Sequence, residues 1–368
     1  MKQIFIERAL VITIGILFFW GSCYASKKTT IIYTPAEKLT MVGKIMDTRN
    51  YYHRLDTLNY PDIPSVVKTR LTRSAGLAIS FKTNSKSIYA KWTTDSKWTS
   101  AGLTPVAHRG LDLYIKKMGK WQFAGAAKPK SGSQESKAKI IDNLGGEELE
   151  CLLYLPIYSE IKKLSIGVER GSSIKAGDDP FKKRILVYGS SIVQGAGASR
   201  PGMAYTSRLS RATGLNFLNL GTAAVAKMEK TVAEMIANID ADAYLLDCVP
   251  NSSPKEIRER AAFLITRIRE KHPNAPIIVM QSVIRESGYF NKQLGEKVKQ
   301  QNIAIKEEVQ KLLDKGIDKL YFIAADDFLG KDHEGTVDGT HPNDLGFDRM
   351  IEVIQPRLQD ILKKDEVF

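Results

Sequence analysis

The sequence predicts two units of different class: a β-sandwich, followed by an α/β domain whose parallel sheet carries helices on both faces. Three observations carry that expectation. Residues 77–168 hold short alternating strands with no long amphipathic helix between them. From Arg184 onward, short apolar runs alternate with helical stretches. Between the two, the stretch from Gly171-Ser172-Ser173 to Gly177-Asp178-Asp179-Pro180 interrupts all periodicity. The expected partition is therefore 26–175 for the sandwich and 182–366 for the α/β domain.

Composition bounds what else the chain can be. It has 368 residues, 43% hydrophobic and 26% charged, which suits a packed protein of about two domains. Three cysteines are too few for a disulfide scaffold, and no two of the five histidines are spaced like metal ligands on one helix. No metal site is expected. The formal charge is +13, yet the lysines are scattered, as at Lys116, Lys117, Lys120, Lys128 and Lys130, and no arginine-aromatic module accompanies them. Most of this charge reads as solvated surface, and nucleic acid is not expected as a partner. Acidic glycans and anionic membrane surfaces remain as partners for such a chain.

The first 25 residues predict a signal peptide. Lys2 and Arg8 precede an apolar run from Ala9 to Trp20, too short to span a bilayer stably, and the small residues Gly21-Ser22-Cys23-Tyr24-Ala25 follow. The chain is thus expected to be exported: periplasmic, secreted or an outer-membrane lipoprotein. Cleavage after Ala25 releases a soluble protein. Lipidation of Cys23 attaches it to a membrane, although Trp20 fits poorly where lipoproteins carry an aliphatic residue. Both outcomes stay open, with a retained anchor as the third.

The elements follow in order. Leu77, Ile79 and Phe81 share one strand face; beyond Asn84-Ser85-Lys86, Ile88, Ala90 and Trp92 alternate likewise, so the two strands are expected to pair as a hairpin. Leu111–Ile115 and Trp121–Phe123 flank Met118-Gly119-Lys120 as a second hairpin, and residues 150–155 and 164–168 extend the pattern. In the second unit, strands are expected at 185–188, 217–220, 244–247, 277–280 and 320–323. Helices are expected between them: one through Leu209, then 227–239, 253–271, 292–313 and 345–362. Ser253, Pro254 and Glu256 supply the start of the third.

In open α/β sheets, ligands bind beyond the carboxyl ends of the strands, and the chemistry-bearing residues gather there. The first strand runs into Gly189-Ser190-Ser191-Ile192. A serine on a tight turn entering a helix suits an exposed nucleophile, because a helix N-terminus favours developing negative charge. Alone, this pattern is better explained by helix capping. Asp338 and His341 lie three apart in Val337-Asp338-Gly339-Thr340-His341-Pro342, so the carboxylate can orient the imidazole as base for that serine. Gly221 closes the second strand and Asn251 the third. With the Ser191 N–H they are the candidate oxyanion donors. Arg200, before Pro201, is the candidate substrate-binding cation, with a structural tie to a carbonyl or carboxylate as its alternative.

Gly189-Ser190-Ser191-Ile192, Gly221, Asn251 and Asp338-x-x-His341, in that order, resemble the four blocks of the SGNH (GDSL-type) hydrolases. Gly110-Leu111-Asp112-Leu113-Tyr114 is similar to the GxDLY signature of a bacterial branch that carries an N-terminal β-domain. The resemblance implies a flavodoxin-like parallel sheet, a serine esterase acting through an acyl-enzyme, and no cofactor. It assigns Ser191 as nucleophile, His341 as base, Asp338 as its orienting acid, and Ser191, Gly221 and Asn251 as the oxyanion hole. Export and the β-domain point to O-acetyl groups on a carbohydrate. A lipid- or acyl-ester-specific enzyme and a catalytically weak glycan-binding protein are the alternatives. Ser190 stands where the wider superfamily has aspartate, and Val249 replaces the third-block glycine.

Overall fold

The computed structural model describes residues 29–325 and 328–368; the expected signal segment, with Cys23 and Ala25, lies outside them. The N-terminal half contains β1 (Ile31–Pro35), β2 (Thr40–Val42), β3 (Ala78–Thr83), β4 (Ile88–Thr94), β5 (Leu111–Lys117), β6 (Lys120–Ala127), β7 (Glu135–Ile141), β8 (Leu149–Tyr154), β9 (Ile161–Glu169) and β10 (Ile174–Ala176), with two short helices, α1 (Ser65–Leu71) and α2 (Pro105–Arg109). The strands make two antiparallel sheets, β1-β9-β4-β7 and β10-β3-β8-β5-β6, with β2 added on β3. Their facing side chains, among them Ile79, Phe81, Ile88, Trp92, Leu113, Leu153 and Ile166, form one core.

The hairpin expected around Met118-Gly119 is present. Lys117 pairs with Lys120, and Met118 and Gly119 both take positive φ, 49° and 77°, as a two-residue turn matched to strand twist requires. The other expected hairpin is not formed. β3 pairs with β8, whereas β4 pairs with β9 and β7 in the opposite sheet. The chain changes sheets between them, and hydroxyls replace the missing ladder: Ser85 Oγ donates to the Ser87 carbonyl and accepts the Glu169 N–H, while Ser87 Oγ donates to Glu169. The apolar alternation is correct in each strand because both face the same core from opposite layers.

The second half contains β11 (Lys182–Gly189), α3 (Ser191–Gln194), α4 (Tyr205–Thr213), β12 (Leu215–Gly221), α5 (Lys230–Ala237), β13 (Ala243–Asp247), α6 (Pro254–Lys271), β14 (Ile277–Met280), α7 (Lys292–Asp314), β15 (Leu320–Ile323) and α8 (Asp344–Lys364). All pairings are parallel and the order is β12-β11-β13-β14-β15, the doubly wound flavodoxin-like arrangement. Successive strand residues feed opposite layers. Leu186, Leu218, Leu246 and Val279 pack toward α5, α6 and α7, and Val187, Phe217, Leu245 and Ile278 toward α4 and α8. Each such fully buried side chain contributes about 1.5–3 kcal/mol. The start of α6 is a capping box in which Ser253 and Glu256 satisfy each other's backbone N–H groups.

One segment crosses the expected partition. Ile45, Leu55, Ile63, Val67 and Leu71 belong to the N-terminal half of the sequence but lie in the core of the α/β layer. Arg54, fully buried, anchors that segment under the sheet. Its guanidinium donates to the carbonyls of Arg70, Arg73, Asn219 and Gly221 and to Asn219 Oδ1.

Candidate active site

β11 ends at Gly189, where a Cβ would lie 2.2 Å from the Asp247 carbonyl oxygen of the adjacent strand. Only glycine lets the two backbones approach this closely. Ser190 is the N-cap, its Oγ accepting the Ile192 N–H at 3.1 Å, so Ser191 becomes the first residue of α3. There its own N–H has no intrahelical acceptor.

The facing loop is built by local hydrogen bonds. Thr336 and Pro342 form an antiparallel bridge, Val337 N–H donates to the His341 carbonyl at 2.9 Å, and Gly339, at φ +80°, makes the bend. Asp338 Oδ1 accepts the N–H groups of Thr340 and His341, leaving Oδ2 for His341 Nδ1 at 2.8 Å. Burial pushes this carboxyl upward, but the hydrogen bonds from His341 and Thr340 outweigh it and hold the group below the ordinary carboxylate range. It therefore stays ionised beside the ring. His341 Nε2 lies 2.8 Å from Ser191 Oγ. The three side chains form one continuous chain of hydrogen bonds, with Nδ1–H donated to Asp338 and Nε2 free to accept the serine proton.

The expected oxyanion donors differ in their state. The Ser191 N–H is free, and the Asn251 side chain makes no hydrogen bond among the described residues, its Oδ1 being buried and unpartnered. Gly221 departs from expectation. Its N–H donates to Asn219 Oδ1 at 3.0 Å, and Asn219 is itself fixed by Arg54, Thr206 and the Val193 carbonyl.

Arg200 makes the structural tie that was its alternative. Its Nη1 lies 3.0 Å from Asp112 Oδ2 and 2.5 Å from Tyr114 Oη, and the guanidinium stacks on Phe123 at 3.9 Å. The physical reason is Asp112, whose fully buried carboxylate needs a cation and also accepts the Gly202 N–H. Burial pushes Asp112 up to about 6, against the opposing pull of Arg200 and Arg211. The aspartate and tyrosine of the Gly110–Tyr114 signature thus clasp the loop that follows the serine.

Two further groups escaped sequence reasoning. Asp247 is buried beneath the serine turn, and among the described residues its carboxylate's one hydrogen bond comes from Tyr205 Oη at 3.1 Å; burial pushes it up to about 7. Arg285 donates to the Pro250 carbonyl at 2.7 Å, next to Asn251. Asp247 closes β13 four residues before Asn251, and Arg285 follows β14; the sequence reading gave neither a role, and the fold brings both to the sheet edge. Among the described residues, no three His, Cys, Asp or Glu side chains converge as a metal site. Cys151 and Cys248 are buried and unpaired.

A serine–imidazole–carboxylate chain at the carboxyl edge of this parallel sheet defines a class, that of the carboxylic ester hydrolases. The family follows from comparison: the chain belongs to the GDSL-like lipase/acylhydrolase family, whose model matches residues 182–359. A second family model, for the GxDLY N-terminus of SGNH-type esterases, matches residues 31–174. A protein of Bacteroides ovatus named as a GDSL-like lipase is 56% identical, with TM-score 0.89 over 91% of this chain and 98% of that one. The salicylyl-acyltransferase SsfX3 from a tetracycline biosynthetic pathway shares the fold at 19% identity, TM-score 0.70, over 91% and 98%. So does an acetyl xylan esterase from Butyrivibrio proteoclasticus at 12% identity, TM-score 0.58, over 92% and 100%. No curated protein is significantly similar in sequence.

Proposed function

We propose that the protein is an exported serine esterase that removes O-acetyl groups from a carbohydrate through a covalent acyl-enzyme. The observation that carries the mechanism is the unbroken relay Ser191 Oγ–His341 Nε2 and His341 Nδ1–Asp338 Oδ2, each link 2.8 Å. Ser191 Oγ attacks the acyl carbon as His341 takes its proton. The carbonyl oxygen becomes an oxyanion facing the Ser191 N–H and the Asn251 amide. Collapse of this intermediate expels the alcohol, which takes the proton from His341. Water then attacks the acyl-enzyme, His341 receives its proton and returns one to Ser191 Oγ, and the acid departs.

Carbohydrate as substrate is supported by the fold shared with the acetyl xylan esterase and by the β-sandwich clasped to the serine loop. Export is supported by the order of charged, apolar and small residues before Ser26. One observation favours a second substrate, a longer acyl ester. Tyr289 and Phe290, 54% and 92% exposed, line a cleft of about 500 Å³ that reaches Gly339.

A fluorophosphonate probe tests the mechanism: it should label the wild type at Ser191 and block turnover, and labelling that persists in Ser191→Ala would refute it. Acid release from acetylated oligosaccharides and from acyl esters of increasing length tests the substrate. Preference for long chains would select the second substrate. Mass determination of the cell-derived protein tests export: a chain starting at Ser26 or at a lipidated Cys23 supports it, and an intact Met1 opposes it.

A further inference from the structure

The four-stranded sheet of the sandwich carries a groove of about 670 Å³ on its outer face, lined by Lys91, Lys128, Lys130, Lys137 and Lys163, with Glu135 as its acidic member. None of these lysines forms an ion pair among the described residues. The charge is also concentrated where a sheet ordinarily avoids it. Lys91 on β4 sits directly opposite Lys137 on β7, a placement that destabilises an antiparallel pair. Lys163 on β9 opposes Thr93, two residues along the same face. The ammonium groups of Lys91 and Lys137 share the Tyr33 ring, at 4.0 and 5.9 Å from its centroid, which offsets only part of the repulsion.

The groove is built rather than incidental. Its floor is the sheet. Its wall is the loop that carries Lys128 and Lys130, held by the buried guanidinium of Arg109, which donates to the carbonyls of Lys97, Lys130 and Ser133. Lys130 N–H is further fixed by Ser136 Oγ at 3.0 Å.

We propose that this groove binds an anionic polysaccharide, a chain bearing carboxylate or sulfate groups, apart from the catalytic site. The lining selects that class. Lysine offers a point charge that meets a carboxylate or sulfate from any direction. The hydroxyls of Thr93, Ser133 and Ser165 at the same groove suit sugar hydroxyls. The one aromatic in the lining, Trp92, is 2% exposed and donates its Nε1 to the Arg109 carbonyl, so it is not presented for stacking nucleobases. The choice of glycan rests on the carbohydrate-esterase function proposed above; the requirement for a polyanion rests on the groove alone. A polymer held there remains tethered to the enzyme between turnovers.

The test is titration of the full-length protein with polygalacturonate, chondroitin sulfate, unsubstituted xylan and duplex DNA at low and raised salt. One or both anionic glycans should bind, more weakly as salt rises, and xylan should not. The two anionic glycans separate carboxylate from sulfate as the recognised group. Lys137→Glu should lower that affinity about tenfold or more. The same change places opposite charges across the strands, so the melting temperature should hold or rise, which separates lost binding from lost folding. Lys163→Gln supplies a second variant with no new ion pair, and it too should weaken binding. Turnover of a small synthetic acetate should be unchanged in both. Ser191→Ala should bind the glycan like wild type, so failure of the groove and failure of the esterase mechanism are distinguishable. Equal binding by Lys137→Glu and wild type, equal binding of xylan, or tighter binding of DNA than of either glycan would overturn the proposal.

Discussion

The two loops that meet at the active site are held by different means. The Ser191 turn is fixed by the fold at large: Gly189 is pressed against β13, Asp247 and Tyr205 lie buried beneath it, and Asp112 and Tyr114 of the sandwich grip Arg200 beyond it. The His341 loop is fixed chiefly from within, with the Ser287 N–H donating to the Gly339 carbonyl at 3.3 Å from outside. Its bridge, its bend and its aspartate all fall within residues 336–342, and Asp338 remains 46% exposed. The loops touch where the Cβ position of Gly197 falls 2.1 Å from the Pro342 carbonyl oxygen. The position of Ser191 is therefore a property of the whole molecule, and the orientation of His341 chiefly a property of one turn.

The largest expected effect ignores that difference. Ser191→Ala and His341→Ala should each lower kcat roughly 10⁶-fold, with melting temperature unchanged, since neither side chain supports the core. A His341→Ala variant with most of its turnover would mean that another base acts. Next, Asn251→Ala should lower kcat by roughly 10²–10³-fold with KM nearly constant; a change confined to KM would make Asn251 a binding group.

A pair of glycines tests the comparison itself. In Gly339→Ala the methyl would lie 2.0 Å from Ser287 Oγ at a backbone φ of +80°, so the base shifts. Kcat should fall by about 10²-fold with little change in melting temperature. In Gly189→Ala the methyl meets the Asp247 backbone oxygen at 2.2 Å as well as the buried Val193 side chain at 2.4 Å, and stability should fall by about 1–3 kcal/mol. Equal losses of melting temperature in the two variants would erase the distinction between a local and a global clamp.

The remaining effect is on stability and concerns pH. The native pKa of Asp247 is raised to about 7, by burial first, with Tyr205 pulling the other way. The native state thus binds more protons than the unfolded chain between the ordinary aspartate range and about pH 7. Stability falls as pH rises through that window. Asp247→Asn should flatten this slope in urea unfolding measured from pH 4 to 7, and an unchanged slope would assign it to other groups.

Most of the second unit was legible because buried parallel strands are short apolar runs and their helices carry ordinary start signals, as at Ser253 and Glu256. The first unit was less legible. β7 has the sequence Glu-Ser-Lys-Ala-Lys-Ile-Ile, and its outward lysines hide a strand whose inner face is only partly apolar. Alternation identifies a strand without naming its partner, so β3 and β4 were placed in one sheet. At the site, Ser191, Asp338, His341 and Asn251 could be picked out because their motifs lie within a few residues of each strand end. Arg200 stayed open between a substrate contact and a structural tie because its partner, Asp112, lies 88 residues earlier. No local pattern discloses a buried carboxylate.

Arg54 carries a consequence for the order in which the chain is completed. Its acceptors at Asn219 and Gly221 lie 165 and 167 residues further on. At roughly 5–20 residues per second, a growing chain emits the guanidinium about 10–30 s before the carbonyls that satisfy it. Until β12 exists, the strap from Ile45 to Leu71 has no sheet to lie on and a cation that cannot be buried. The sandwich strands can pair early. The piece of the N-terminal half that completes the catalytic sheet must wait, so the first part synthesised is among the last to be locked in place.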